Sequence, residues 1–397
     1  MKLKQDRKRT GRSRTVKPRT ALEYFSFSGT AAAVLLVMQA LTGMLLLFYY
    51  KPDAKLAFAS LEAIRNDLPY GMLFANLHAV GSRAILILVF IHLFRIMLTS
   101  AHRGPRRMQW YTGIGLLVIM LLAGFSGYLL PWTQQSYWAC VIGTESVRVI
   151  PLIGDLLVSA MRGGSAVAGP TLTRFFALHV SLLPLVILIM VWIHLRLVWR
   201  TGVIAPADTY AVIDRGLCIY CGACEKECPF AAIRIVPIRG RKTPALNTDK
   251  CNACRLCLKN CPAGAIYLRS DILPYQVEPV FPDAVLRRIA TVMGVLIAVF
   301  IWAFFIFGYE HVPADPLLTP DRIKPEWYFM ASYQVLKILP NELLGLGFLA
   351  AVFLLTALLP KLDPSGPREI TARPVYGIIV GGGILSFILL TAWGVIS

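Results

Sequence analysis

"NLHAVGSRAILILVFIHLFR", Asn76–Arg95, is apolar enough and long enough to cross a bilayer, yet it carries two histidines, His78 and His92. Ionisable side chains in hydrocarbon are costly and mark function. Their separation of 14 turns the second ring only about 40° from the first, so both lie on one helix face roughly 21 Å apart in height. A second apolar run repeats the device with His179 and His194, 15 apart, which on a uniform helix is about 60° round. Four of the chain's six histidines therefore sit in two candidate spans.

Working outward, apolar runs of the length that crosses ~30 Å of hydrocarbon lie near 28–50, 77–99, 112–131, 175–199, 286–309, 342–360 and 375–396. Seven membrane spans are predicted, four before a cysteine-rich segment and three after it. A hydrophobic content of 56% and a mean hydropathy of +0.62 exclude an ordinary soluble domain, where roughly 45–50% is usual. The first span follows nine basic residues and one acid in "MKLKQDRKRTGRSRTVKPRT" and lacks the small-residue cleavage site of a signal peptide. The positive-inside rule then keeps this tail in the cytoplasm. "SAHRGPRRMQW" is also basic, whereas the loop after the first span balances Lys51, Lys55 and Arg65 against Asp53, Glu62 and Asp67. Alternation puts the cysteine segment in the cytoplasm and Ser397 outside. The net charge of +18 does not imply nucleic acid. The first twenty residues supply +8 of it, nine basic minus Asp6, which suits topology and anionic membrane lipid.

With both histidine spans running inward, His78 is level with His179 near the outer face, and His92 with His194 nearer the cytoplasm. Two stacked pairs of facing imidazoles suit two six-coordinate haems, whose filled axial positions favour electron transfer over oxygen chemistry. Interhelical hydrogen-bonding histidines and transporter metal sites are the alternatives. Gly29 and Gly43 in the first span, and Gly113 and Gly127 in the third, repeat the 14-residue interval, and a missing side chain makes room for a flat macrocycle. Arg83 and Arg95 share the second span and suit haem propionates, although Arg95, near the inner end, can also snorkel.

Eight of the nine cysteines form two copies of C-x2-C-x2-C-x3-C-P, "CIYCGACEKECPFAAIRI" and "CNACRLCLKNCPAGAIYL", offset by 33 residues. In this arrangement the fourth cysteine of each run serves the other run's cluster. Cluster one takes Cys218, Cys221, Cys224 and Cys261; cluster two takes Cys251, Cys254, Cys257 and Cys228. A zinc site does not need the third cysteine or the x3-C-P ending, and a reducing cytoplasm disfavours disulfides. The pattern resembles the bacterial ferredoxin with two [4Fe-4S] clusters and implies one-electron transfer. The ninth, Cys140, falls in an outer loop and reads as a buried, unreactive thiol.

"FYYKP", "HLFR", "GYLLPWTQQSYWA", "TLTRFFALH" and "PADPLLTPDRIKPEWYFMASYQVLKILPNELLG" resemble the cytochrome b family of quinol-oxidising Rieske/cytochrome b complexes. The His179–His194 spacing is similar to the chloroplast and cyanobacterial branch, where cytochrome b6 and subunit IV are separate chains; here a ferredoxin module joins them. The resemblance implies a mostly α membrane protein, with a four-helix haem-binding bundle and a three-helix subunit-IV-like part. A small α+β ferredoxin-like domain is inserted on the cytoplasmic side. The expected domains are 1–27 (basic tail), 28–205 (dihaem bundle), 206–272 (two-cluster domain) and 273–397 (three-helix part).

The resemblance also places Pro325, Glu326, Trp327 and Tyr328 ("PEWY") at an outer quinol-oxidation site, with Glu326 accepting a quinol proton and Leu130 to Trp138 walling it. It implies a Rieske iron-sulfur protein and a c-type cytochrome as partners, quinone as substrate, a homodimer, and a prokaryotic cytoplasmic membrane. "IPLIGDLLVSAMRGG" is expected on the outer membrane surface. Three departures stand out: Phe27 where the branch has a haem-linking cysteine, so that no thioether-bound third haem is expected; Thr133 where it has Asp; and the insertion itself. His102 and His311 match no ligand position and read as loop residues. Three functions are open at this point. One is a quinol-oxidising cytochrome b subunit. The second is a ferredoxin-type quinone reductase feeding the inner haem without a Rieske partner. The third is a transporter or sensor with a structural cluster domain. In the first two, both linkers of the module, the Pro-rich "SDILPYQVEPVFPDAV" included, tether the clusters beside the inner haem.

Overall fold

The computed structural model describes residues 14–16, 27–201, 209–238, 241–251, 253–270, 277–279, 285–306, 308, 310–364 and 370–397. Most of the basic tail 1–27, the approach to the cysteine segment at 202–208 and most of the Pro-rich return lie outside the described residues.

In chain order the elements are β1 (Arg14–Val16), α1 (Ser28–Leu47), α2 (Ala57–Asp67), α3 (Gly71–Leu98), α4 (Arg107–Leu129), α5 (Gln134–Glu145), α6 (Gly154–Arg162), α7 (Gly169–Ala177) and α8 (Leu183–Thr201). The inserted segment has β2 (Thr209–Ile213), α9 (Ala223–Lys226), β3 (Ile233–Ile238), β4 (Arg241–Leu246), α10 (Leu256–Lys259) and β5 (Ile266–Ser270), and β6 (Val277–Pro279) follows it. The last part has α11 (Val285–Ile301), α12 (Trp327–Ile338), α13 (Glu342–Ala357), α14 (Leu359–Leu362) and α15 (Pro374–Ile396).

Among the described residues, six helical stretches are long and apolar enough to cross a membrane: Ser28–Leu47, Gly71–Leu98, Arg107–Leu129, Gly169–Thr201, Val285–Phe305 and Pro374–Ile396. The chain is an integral membrane protein. The seventh predicted span, 342–360, is shorter than expected. Its helix α13 has 16 residues, about 24 Å against the ~30 Å of hydrocarbon. Pro360 supplies no N–H to the turn before it and so interrupts the ladder. The Thr356 and Ala357 carbonyls at that end accept instead from the Trp110 indole, at 3.2 and 3.1 Å.

Helix α1 packs along α3, and α4 along α8. Between the two histidine levels the core is aliphatic and aromatic, with Leu35, Val80, Ile85, Leu86, Met120, Ile187 and Tyr328 buried together. Helices α7 and α8 are continuous through one π turn, Leu178–Leu182. Such a turn holds one residue more than an α turn. It lies just where His179 begins its longer interval to His194, and it takes up the extra residue that a uniform helix would convert into a further 100° of rotation.

The inserted domain keeps the 33-residue repeat in its backbone. Strand β2 pairs antiparallel with β5, and β3 with β4. Tyr220 and Ala253, Gly222 and Arg255, and Ala231 and Gly264 all have positive φ, three pairs at the same offset, curling the chain around the cysteine sulfurs.

Candidate functional site

Each of the four predicted glycines faces one of the four histidines. A Cβ on Gly43 would meet the His78 ring at 3.0 Å, on Gly127 the His179 ring at 2.5 Å, on Gly29 the His92 ring at 3.2 Å, and on Gly113 the His194 ring at 3.3 Å. The helix pairing makes His78 and His179 one level and His92 and His194 the other, called outer and inner below. The His78 and His179 ring centroids are 6.2 Å apart at 84°. Two imidazoles on opposite sides of one metal need about 6 Å if each metal–nitrogen bond is about 2 Å, so the outer pair fits an iron held between them.

Sequence reasoning missed what stands beside each glycine. Ser28, Thr42, Thr112 and Ser126 each precede one of the four. The Thr42 hydroxyl lies 3.0 Å from His78 Nδ1, that of Thr112 2.9 Å from His194 Nδ1, and that of Ser126 3.1 Å from His179 Nδ1. The Ala123 carbonyl is also 3.1 Å from His179 Nδ1. A hydrogen bond at Nδ1 fixes the ring and leaves Nε2 for a metal. The signal was legible: the dipeptide Ser/Thr-Gly recurs 14 residues apart in both α1 and α4. At the fourth position Ser28 Oγ and His92 Nδ1 are both buried without a partner among the described residues.

The outer end is stitched by loops distant in sequence. Thr133 caps α5 through a capping box with Ser136. Threonine and aspartate are both good N-caps, so the departure at this position keeps its structural role. Gln134 N donates to the Val312 carbonyl at 2.9 Å, Asp315 N donates to Gln134 Oε1 at 2.6 Å, and Gln135 Nε2 donates to the Lys324 carbonyl at 3.2 Å. These bonds bring Pro325–Tyr328 against Leu130–Trp138. Tyr328 is buried in the core, and Trp327 stacks edge-on against Tyr328 and Phe90. Glu326 is the residue before α12 and is bound at both oxygens by Arg83, at 3.0 and 2.5 Å. Arg83, expected to serve a haem propionate, is thus engaged by the predicted proton acceptor. Arg95 is buried rather than extended to water.

The eight cysteines line two separate cavities. Cys218, Cys221, Cys224 and Cys261 line one cavity, walled by Ile213, Ile235 and Pro244. Cys228, Cys251, Cys254 and Cys257 line another, with Phe230 in its wall. Backbone N–H groups donate to sulfur in both sets: from Tyr220 to Cys218 and Ala265 to Cys261, and from Ala232 to Cys228 and Ala211 to Cys251, all 3.3–3.4 Å. Among the described residues no group of three or more His, Cys, Asp or Glu converges as a single-ion site would require; the sulfurs surround a space instead. Burial, and then the neighbouring thiols, push Cys257 up to about 12. A cationic iron core removes that conflict, since the thiolate is the ligating form. The donor sets fit iron-sulfur clusters.

At the inner face His102 is a fully buried residue, not an open loop position. Its Nε2 lies 3.0 Å from Asp363, which also binds Arg103 at 2.6 Å and Arg373. Burial pushes the Asp363 carboxyl up, and the two guanidiniums together outweigh it and hold it below the usual carboxylate range. Burial lowers His102 to about 4 against the opposing pull of Asp363. His311 is exposed, 3.3 Å from Glu62. Cys140 is buried and free, its thiol pushed up to about 12 by burial.

Family models match in three segments: "Cytochrome b/b6/petB" over residues 13–202, "Cytochrome b(C-terminal)/b6/petD" over 313–397, and "4Fe-4S dicluster domain" over 211–268. Cytochrome b of Rickettsia conorii is 31% identical over 364 residues, 89% of this chain and 75% of the relative. The chain belongs to the cytochrome b family. Cytochrome b of Rhodospirillum rubrum is 29% identical, over 89% of this chain and 74% of its own length. Among solved structures, a chain of a hyperthermophilic respiratory Complex III superposes with a TM-score of 0.73 at 28% identity, covering 99% of this chain and 88% of that one. Membership implies haem b, and the inserted segment implies iron-sulfur clusters.

Proposed function

We propose that the chain is the cytochrome b subunit of a membrane complex that oxidises quinol at its outer face. One electron of each quinol goes to a Rieske iron-sulfur protein, which passes it to a c-type cytochrome; the other moves inward across the membrane, and the quinol protons are released outside. His78 and His179 hold the outer haem b and His92 and His194 the inner one. The clusters, on the cytoplasmic side with the N-terminus, add an entry or exit for electrons at the inner level. The complex is a homodimer in a prokaryotic cytoplasmic membrane, with α13 crossing it as a short seventh span and the domain limits those expected from sequence.

One observation carries the reading: Arg83, five residues after His78 on α3, holds the Glu326 carboxylate at the start of α12. A proton acceptor and an electron acceptor site are thereby supported from one rigid helix. Held by these histidines, haem b would supply a one-electron acceptor. The chain's own residues do the rest. Glu326 accepts the hydroxyl proton of quinol, and breaking its ion pair with Arg83 frees an oxygen for that bond. Trp327, Tyr328 and the Leu130–Trp138 loop wall the ring and exclude water, and Thr42 and Ser126 keep the outer imidazoles aligned.

The test is stopped-flow reduction of the b haems by a soluble quinol, with and without an inhibitor of the outer site, on complex purified with its partner subunits. Inhibitor-sensitive haem reduction together with a co-purifying Rieske protein is expected. Haem reduction only from a cytoplasmic donor, with no Rieske protein, would establish the quinone-reductase alternative instead.

A further inference from the structure

The two cysteine cavities share a donor set and differ in setting. Phe230, two residues after Cys228, forms part of the wall around Cys228, Cys251, Cys254 and Cys257. Its ring also meets the loop between α3 and α4. A Cβ on Gly104 would lie 3.4 Å from it, ordinary van der Waals contact, and Gly104 has φ +59°, a backbone conformation that favours glycine. The Arg106 guanidinium carbon is 5.6 Å from the Phe230 ring centroid. Arg106 is 1% exposed, and its Nη2 donates to the Thr201 carbonyl at 3.4 Å, at the end of the helix that carries His194. A turn beyond Arg106, Trp110 is buried in the same helix whose Thr112 binds His194. Both cavities are lined by residues of the inserted domain, and the setting of the one around Cys218, Cys221, Cys224 and Cys261 is more open. Cys221 is exposed there, and so are Ile219 and Tyr220.

We infer that Arg106 and Phe230 seat the cluster held by Cys228, Cys251, Cys254 and Cys257 on the inner loop, so that this cluster exchanges electrons with the inner haem. The other cluster faces solvent as the far terminal of the relay. Sequence order suggests the opposite, because α8 leads into Cys218 first; the crossed ligation and the Phe230 contact reverse it. The exchange is a single electron that oxidises one centre and reduces the other, with no bond or proton moved. A buried guanidinium beside a cluster favours its reduced, more negative form, so Arg106 raises the potential of that cluster and leaves the other where it is. Arg106 is a positioning residue, acting through charge and through Phe230. The inference rests on the haem reading above.

The test is an electron paramagnetic resonance redox titration of the full complex in four forms: wild type, Arg106→Gln, Arg106→Lys and Cys221→Ser. Cys221→Ser alters one cluster signal and so identifies it. Arg106→Gln is expected to lower the potential of the other cluster only, and Arg106→Lys to restore most of the shift. In the wild type, the oxidised inner haem is expected to speed the relaxation of that same cluster. If the shift falls on the Cys221 cluster, or on both equally, or if the haem relaxes the Cys221 cluster more strongly, the inference is overturned. Should Arg106→Gln not assemble, the relaxation measurement on wild type and Cys221→Ser decides alone. Absence of haem signals would sink the proposed function, whereas haems present with the wrong cluster nearby would sink this inference only.

Discussion

The outer and inner histidine levels are built from one repeated device and finished differently. At the outer level both rings are held at Nδ1, by Thr42 and Ser126, and the loops above them are cross-linked by the Gln134, Gln135 and Arg83 bonds. At the inner level Thr112 holds His194, while His92 Nδ1 and Ser28 Oγ stand unpartnered among the described residues. The inner face is covered by cations, with Arg103 and Arg373 gathered on Asp363 and Arg106 buried beside the inserted domain. The contrast matches two tasks. Proton removal from quinol needs fixed geometry, whereas exchange of electrons with another domain needs proximity and a suitable field.

The largest effect that separates the levels is expected at the glycines. A Cβ at Gly127 would stand 2.5 Å from the His179 ring, against 3.2 Å between Gly29 and His92. Gly127→Ala should therefore displace His179 and cost the outer haem while the inner one is kept. Gly29→Ala should retain both. Haem content per chain, with the spectrum of the surviving b band, measures this; equal loss in both variants would mean that the two levels are equally tight.

Acid should break the inner face first. His102 titrates near 4 when folded against an ordinary value of 6.5, so the unfolded chain binds the extra proton in between. Its stabilisation is complete above pH 6.5 and is lost as pH falls through that window towards 4. The shift corresponds to roughly 3 kcal/mol. The physical cause is burial, followed by two guanidiniums that already share Asp363 and leave no room for a third cation. Thermal unfolding of the complex from pH 7 to pH 4.5 should show the loss, and His102→Gln should flatten it. The guanidiniums hold Asp363 below the ordinary carboxylate range, so its own stabilisation is fully present above that range and is lost only as pH falls below it, which keeps the two groups distinguishable.

Much of this was legible because helices and cluster motifs write their contacts at fixed intervals. The histidine and glycine spacings lie within continuous helical stretches, and the doubled cysteine pattern and "PEWY" are contiguous in sequence. Contacts between elements were not legible. Arg83 meets Glu326 243 positions away, and His102 meets Asp363 261 positions away; neither pair has a period to reveal it. The π turn after His179 was hidden because hydropathy does not report a change of helix pitch. The shortened α13 was marked by Pro360, a cue that an apolar run of the right length conceals.

At the proposed quinol site the expected effect is kinetic. Replacing Glu326 by Gln removes the proposed proton acceptor but keeps the shape, and general-base catalysis is commonly worth on the order of 100-fold or more. Quinol-dependent haem reduction should slow by about that factor, with haem content unchanged. Arg83→Leu leaves the carboxylate in place without its clamp, and a smaller slowing is expected. If Arg83→Leu were slower than Glu326→Gln, Arg83 rather than the carboxylate would be the essential group.

The smallest effect tests the hydroxyls themselves. A hydrogen bond from a buried hydroxyl is worth about 1 kcal/mol net, and one that orients a metal-bound imidazole also sets its basicity. Thr42→Val and Ser126→Ala should each lower the thermal stability of the outer level by about that amount and shift the outer haem potential. Thr112→Val should do the same for the inner haem. Ser28→Ala removes a hydroxyl that has no partner among the described residues, so neither stability nor the inner haem potential should change. A shift there as large as that of Thr112→Val would mean that Ser28 and His92 are joined once the haem is bound, and the two levels would then differ only in their loops.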